Sequence, residues 1–134
     1  MAGSKSNYLE LELLDHILGN AAWTAPSSVY IALYTVAPSD SGGGTEVTGG
    51  SYARVAVTNN STNFPAASGG AKSNGVAIAF AQATANWGTV IAFGIFDAVS
   101  GGNLLYWADL AFSKTINSGD DSNFAIGELD ITED

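Results

Sequence analysis

Trp87-Gly88-Thr89-Val90-Ile91-Ala92-Phe93-Gly94-Ile95-Phe96-Asp97, then Ala98-Val99-Ser100-Gly101-Gly102, then Asn103-Leu104-Leu105-Tyr106-Trp107-Ala108-Asp109-Leu110-Ala111-Phe112 is the stretch that decides the fold. Two apolar runs of strand length, rich in aromatic and β-branched residues, flank a loop whose paired glycines can supply the positive φ of a tight reversal. This is the signature of a β-hairpin. Strict alternation puts Ile91, Phe93 and Ile95 on one face and Val90, Ala92 and Phe96 on the other, so neither face is made for water. A second sheet, a helix or a neighbouring subunit is expected to cover each side.

Working outward, one helix is expected before the hairpin, over residues 7–18. Asn7 can cap it with Glu10 as the reciprocal half of a capping box. Leu9, Leu13 and Ile17, with Leu14 and Leu18, fall at helical spacing, and Gly19 stands where a left-handed terminator belongs. Its apolar face is expected to lie on a sheet edge or on a neighbour. Residues 1–6 read as a small polar arm, free unless a partner orders it, ahead of a single domain over 7–134.

Alternating runs at 29–36, 52–58 and 76–80 read as strands. In them Val29, Ile31 and Leu33, then Ala53, Val55 and Val57, then Val76, Ile78 and Phe80 point inward. Residues 39–50 and 59–74 are glycine-rich or polar and read as long exposed loops. After the hairpin, 113–116 can extend its second arm. The turn at 117–121 leads to a last strand over 122–131, with Phe124, Ile126, Leu129 and Ile131 in its apolar pattern. Six strands joined by loops, with one helix at the start, give a mainly β fold: an antiparallel β-sandwich of Greek-key or jelly-roll type.

The 134 residues suffice for one domain that buries about two thirds of its unfolded surface. The absence of cysteine excludes disulfides and thiolate metal sites. No signal-peptide core is visible, and no run approaches the roughly 18 apolar residues of a spanning helix. Neither export nor membrane insertion is expected. Thirteen acidic residues against Lys5, Arg54, Lys72 and Lys114 give a formal charge of −9, which repels nucleic acid. With 13% charged residues and 16 glycines, the surface suits packing against other protein more than a solvated monomeric enzyme.

No catalytic constellation emerges. His16, the one histidine, sits near a helix C-terminus, where the dipole favours its protonated form, and no nucleophile elbow accompanies it. The glycine clusters at 42–44, 49–50, 69–70 and 101–102 lack the Lys-Ser or Lys-Thr continuation of a phosphate loop. Asp120, Asp121, Glu128, Asp130, Glu133 and Asp134 match no calcium-loop spacing. No cofactor or metal is expected. Trp23, Trp87 and Trp107, with Tyr30, Tyr34, Tyr52 and Tyr106, could form a sugar-stacking platform, though aromatics at alternating strand positions more often build a core or a subunit interface.

Several phrases carry a family resemblance. They are Ser4-Lys5-Ser6-Asn7-Tyr8-Leu9-Glu10, Leu14-Asp15-His16-Ile17-Leu18-Gly19, Val29-Tyr30-Ile31-Ala32-Leu33-Tyr34, Gly44-Thr45-Glu46-Val47 with Gly50-Ser51-Tyr52-Ala53-Arg54, and Trp87-Gly88-Thr89-Val90. Asn74 and Ile95-Phe96-Asp97-Ala98 continue the pattern. Over nearly its whole length the chain resembles a family of small virion proteins of tailed bacteriophages, often described as tail-fibre-like. The resemblance implies a structural role in the phage particle, assembled in the host cytoplasm, and no catalytic residue.

Because no shaft-like repeat is present and the charge repels DNA, decoration of the outer capsid is the first expectation. A tail or fibre-associated adaptor is the second, and a carbohydrate-binding module the third. The expected partners are further copies of the chain, as a homotrimer, and the phage's major capsid or tail proteins. Ser4, Lys5, Ser6, Tyr8, Trp23 and Arg54 are the candidate partner-binding residues.

Overall fold

The computed structural model describes residues 3–133. Its elements are β1 (Gly3–Lys5), α1 (Asn7–Ile17), β2 (Ser28–Val36), β3 (Thr45–Glu46), β4 (Val55–Thr58), β5 (Ala71–Ser73), β6 (Ile78–Ala79), β7 (Gly88–Phe96), β8 (Leu104–Ile116), β9 (Asn123–Phe124) and β10 (Asp130–Thr132). The main sheet runs β1-β8-β7-β2-β3, with β4 paired to the start of β2, and every pairing is antiparallel. Two ribbons, β10-β5 and β6-β9, complete a mainly β fold with one N-terminal helix.

The hairpin is β7-β8, and β2 lies beside it in the register Ile31↔Ile95 and Leu33↔Phe93. Those four side chains join Val29, Ile78, Phe80, Phe124 and Leu129 in the larger core, so both ribbons contribute to the layer over this face. Each fully buried side chain of this size contributes roughly 1.5–3 kcal/mol. On the opposite face Ala32, Tyr34, Ala92, Phe96 and Leu104 form a second cluster, with Tyr30, Ala37 and Trp107 packed against it. The chain therefore covers both faces of its hairpin itself, and the hairpin does not require a neighbouring subunit.

The expected alternation fails at one point. Val90 pairs with Lys114 and Ala92 with Asp109, which leaves residues 110–113 opposite Ile91 alone. A bulge of this kind resets the pleat. Val90 consequently enters the same core as Phe93 and Ile95, while Ile91 turns outward.

Other boundaries shift for local reasons. The last strand is two short ones, because Ala125–Glu128 make a turn: Glu128 N–H donates to Ala125 O at 3.0 Å and Ala125 N–H to Glu128 Oε2 at 2.9 Å. Ile126 is exposed on that turn, whereas Phe124 and Leu129 are buried as expected. Pairing in 52–58 begins only at Val55, and Ala53 is exposed. In 76–80 only Ile78 and Ala79 pair. The 39–50 loop is partly ordered: it contains β3, and Val47 is buried while its N–H donates to Leu33 O at 3.0 Å.

The amino-terminal reading needs the largest correction. Residues 3–5 are an edge strand on β8, in the register Gly3↔Ala108, Ser4↔Trp107 and Lys5↔Tyr106, so this part of the arm is not free. Residues 1 and 2 lie outside the described residues, as does Asp134 of the acidic tail. The helix cap is Ser6 and not Asn7: Leu9 N–H donates to Ser6 Oγ at 3.2 Å. Ser6 Oγ also donates to Leu104 O, fixing the start of α1 to the hairpin. The left-handed residue after α1 is Asn20, with φ 55°.

Candidate interaction surface

Around α1 the structure brings together five of the six candidate residues. Ser4 and Lys5 lie in β1, Ser6 caps α1, and Tyr8 and Trp23 pack against the larger core, where Trp23 Nε1 donates to Tyr8 OH at 3.5 Å. Lys5 Nζ meets Glu133 Oε2 at 2.6 Å, and this hydrogen bond is the main cause of a Lys5 pKa raised above its ordinary value. Ser6 is buried and its hydroxyl serves the cap and Leu104, so it acts within the fold.

The helix presents little of its apolar side to that core. Leu9 is buried and Leu13 half-buried, but Leu11, Leu14, Ile17 and Leu18 are 63%, 55%, 71% and 80% exposed. Of the two covers expected for the helical stripe, a sheet edge or a neighbour, the sheet takes Leu9 and Leu13 and leaves Leu14, Ile17 and Leu18 uncovered, and Leu11 lies outside the stripe that periodicity picked out. Beside the helix an apolar cleft of about 300 Å³ opens between Leu13, Trp23, Phe64, Tyr106 and Ile131.

Arg54 stands apart from this group. Its Nε and Nη2 donate to Glu46 Oε2 and Oε1 at 2.9 and 2.8 Å, and its Nη1 donates to Ala98 O and Gly101 O, both at 2.9 Å. The guanidinium also lies 3.6 Å from the centre of the Phe96 ring. Tyr52 OH donates to Glu46 Oε2 at 2.7 Å and accepts from Leu33 N–H at 3.0 Å. Burial raises the Tyr52 phenol far above its ordinary pKa, and its bond to Glu46 raises it further. All this ties the hairpin loop to β3 and β2. Arg54 is thus a clamp inside the domain, with its donors committed there.

The proposed aromatic platform is dismantled by the fold. Trp87 is core and meets Tyr52 edge to face at 5.4 Å, while Trp23 and Trp107 pack on the two different clusters of the main sheet. His16 is exposed, with Nδ1 3.2 Å from Ala21 O. Among the described residues no group of three or more His, Asp or Glu side chains is placed to hold a metal ion. No helix among them is long and apolar enough to cross a membrane.

A family model described as Podophage GP4 fiber I protein gp80 matches residues 4–132. The chain belongs to this family. As a member of the gp80 fibre family it is a structural component of a tailed-phage virion. The match runs from β1 to β10 and so takes in the whole sheet, both ribbons and the helix. Comparison with curated proteins finds no match. Several phrases that carry the family resemblance contain residues on which the fold depends: Ser6 caps α1, Glu46, Tyr52 and Arg54 form the clamp, and Asn74 is a buried junction.

Proposed function

We propose that the chain is a non-enzymatic subunit of the tail-fibre apparatus of a short-tailed phage, joined to its neighbours through the outer face of α1. The observation that carries the fibre assignment is the gp80 family match over residues 4–132. The family description favours the fibre over the capsid shell, and the acidic surface suits any position away from packaged DNA. Counting copies per particle by quantitative mass spectrometry tests the assignment. A few dozen copies or fewer are expected, and hundreds would make the chain a shell decoration.

The joining surface follows from exposure. Leu11, Leu14 and Leu18 recur at the spacing of a coiled-coil seam, so helices from separate copies can meet along one line. A homotrimer built this way uses the helix and leaves the self-covered hairpin alone. The acidic copies repel one another, so association should strengthen as salt is added. The double variant Leu11→Glu, Leu14→Glu is expected to abolish association in sedimentation velocity. Both sites are exposed, so its unfolding free energy should stay within about 0.5 kcal/mol of the parent. An unaltered sedimentation coefficient would remove α1 from the interface.

A further inference from the structure

The sequence sets asparagine before glycine once, at Asn74-Gly75, and the fold buries that asparagine where the end of β5 meets the turn after β9. We propose that Asn74 is a deamidation site that folding switches off, so that a chain left unfolded is converted into one that no longer regains a stable fold at neutral pH. The inference goes beyond the fibre assignment and stands independently of it.

The chemistry needs only water and base. In an open chain the Gly75 nitrogen gives its proton to base and attacks Asn74 Cγ. A bond forms between them, the bond from Cγ to Nδ2 breaks, and Nδ2 takes a proton from water and leaves as ammonia. Water then opens the cyclic imide at either carbonyl, giving aspartate or the isomer in which the main chain runs through the side-chain carbon. Glycine favours the attack, because no Cβ crowds the nucleophile or restricts the backbone rotation that ring closure requires.

The junction demands both members of this reactive pair. Asn74 Nδ2 donates to Val76 O at 2.7 Å and Ala125 O at 3.0 Å, and its Oδ1 accepts from Leu129 N–H at 3.0 Å, so the position calls for a short side-chain amide. A Cβ on residue 75 would collide with Thr62 O and stand 2.8 Å from the Pro65 ring, so the next position calls for glycine.

Folding holds each reacting group out of play. Gly75 N–H donates to Asn63 O at 2.7 Å, which engages the proton that must be lost. The departing amide sits between two carbonyls, and Asn74 is 2% exposed, which keeps base and water away. Swinging Cγ onto the Gly75 nitrogen breaks the side-chain bonds that hold Ala125 and Leu129 beside the core residue Phe124. The opening that permits reaction is therefore unfolding of the domain.

Neither product fits the junction it leaves. Aspartate turns a charged oxygen towards Val76 O and Ala125 O. The isomer lengthens the main chain between Asn74 N–H, which donates to Leu129 O, and Gly75 N–H, which donates to Asn63 O.

Peptide mapping by mass spectrometry tests this on the full chain, held at mildly alkaline pH in buffer, in urea below the unfolding midpoint and in strong urea. In strong urea Asn74 should react faster than any other asparagine. In buffer its rate should be lower by a factor of about 10³ or more, because the unfolded fraction scales it. Urea below the midpoint should raise that rate in step with the falling stability. After dilution from strong urea to neutral buffer, a brief protease pulse should remove the converted molecules and spare the unconverted ones. The proposal is overturned by a rate in buffer within about tenfold of that in strong urea, by a rate indifferent to low urea, by faster reaction at another asparagine, or by converted molecules that resist the protease as well as unconverted ones.

Discussion

Arg54→Ala should lower the unfolding free energy by about 3 kcal/mol at neutral pH, the lower end of what breaking a buried ion pair costs. The Arg54 and Glu46 side chains are 8% and 24% exposed, so the pair is mostly removed from water. Loss of the guanidinium strands the Glu46 carboxylate and frees Ala98 O and Gly101 O. It also uncovers one face of Phe96. Arg54→Lys should recover only part of the loss, because an ammonium cannot make the two-pronged contact and reach the loop carbonyls together. Urea unfolding measures both variants. A loss under about 1 kcal/mol for the alanine variant would mean that the clamp behaves like an ordinary surface pair.

The same clamp fixes a pH dependence. Burial pushes the Glu46 carboxyl up, but hydrogen bonds from Arg54 and Tyr52 and the Arg54 charge outweigh it, leaving the pKa below its ordinary 4.5. A folded value below the unfolded one gives stability that is fully present above about 4.5 and is lost as pH falls through the folded value. The gap between parent and Arg54→Ala should therefore be wide at neutral pH and narrow in acid. Glu46→Gln should flatten the parent's loss of stability over the same range.

Legibility followed the range of the interaction concerned. The hairpin, β2 and the helix are written in local periodicity, and all three stand close to where the sequence puts them. The bulge opposite Ile91 is invisible to alternation, because it depends on which residues of β8 pair with β7 across the hairpin. Docking of residues 3–5 was equally hidden. Its hydrogen-bond partners lie about a hundred positions away in β8, and a Gly-Ser-Lys strand carries no apolar pattern to announce itself. The outer helix face shows the converse: periodicity identifies an apolar stripe and leaves open whether the protein's own sheet or another molecule covers it. The clamp left a usable trace, for Glu46 and Arg54 are opposite charges on neighbouring segments of a chain with only four cations.

Asn74→Ala should destabilise the domain by roughly 3 kcal/mol, because the side chain fastens three backbone segments at once. Asn74 is 2% exposed. Its Nδ2 donates to Val76 O at 2.7 Å and Ala125 O at 3.0 Å, with Phe124 O at 3.4 Å, and its Oδ1 accepts Leu129 N–H at 3.0 Å. The backbone adds two more links, Asn74 N–H to Leu129 O at 3.3 Å and Gly127 N–H to Asn74 O at 2.9 Å. Alanine keeps the backbone links but leaves a buried donor and several carbonyls without the side chain that served them. The turn at 125–128 would lose its side-chain anchor and be held by the backbone links alone, which loosens the placement of Phe124 and Leu129 in the core. Asn74→Asp separates the two halves of this argument. It retains an oxygen for Leu129 N–H but turns another oxygen, with its charge, towards the carbonyls. If the donor bonds matter, the aspartate variant must be at least as unstable as the alanine one at neutral pH and must recover as acid protonates the carboxyl into a donor. Urea unfolding at neutral and acidic pH would sink the idea if the aspartate variant matched the parent at neutral pH, because the amide nitrogen would then be holding nothing that an oxygen could not.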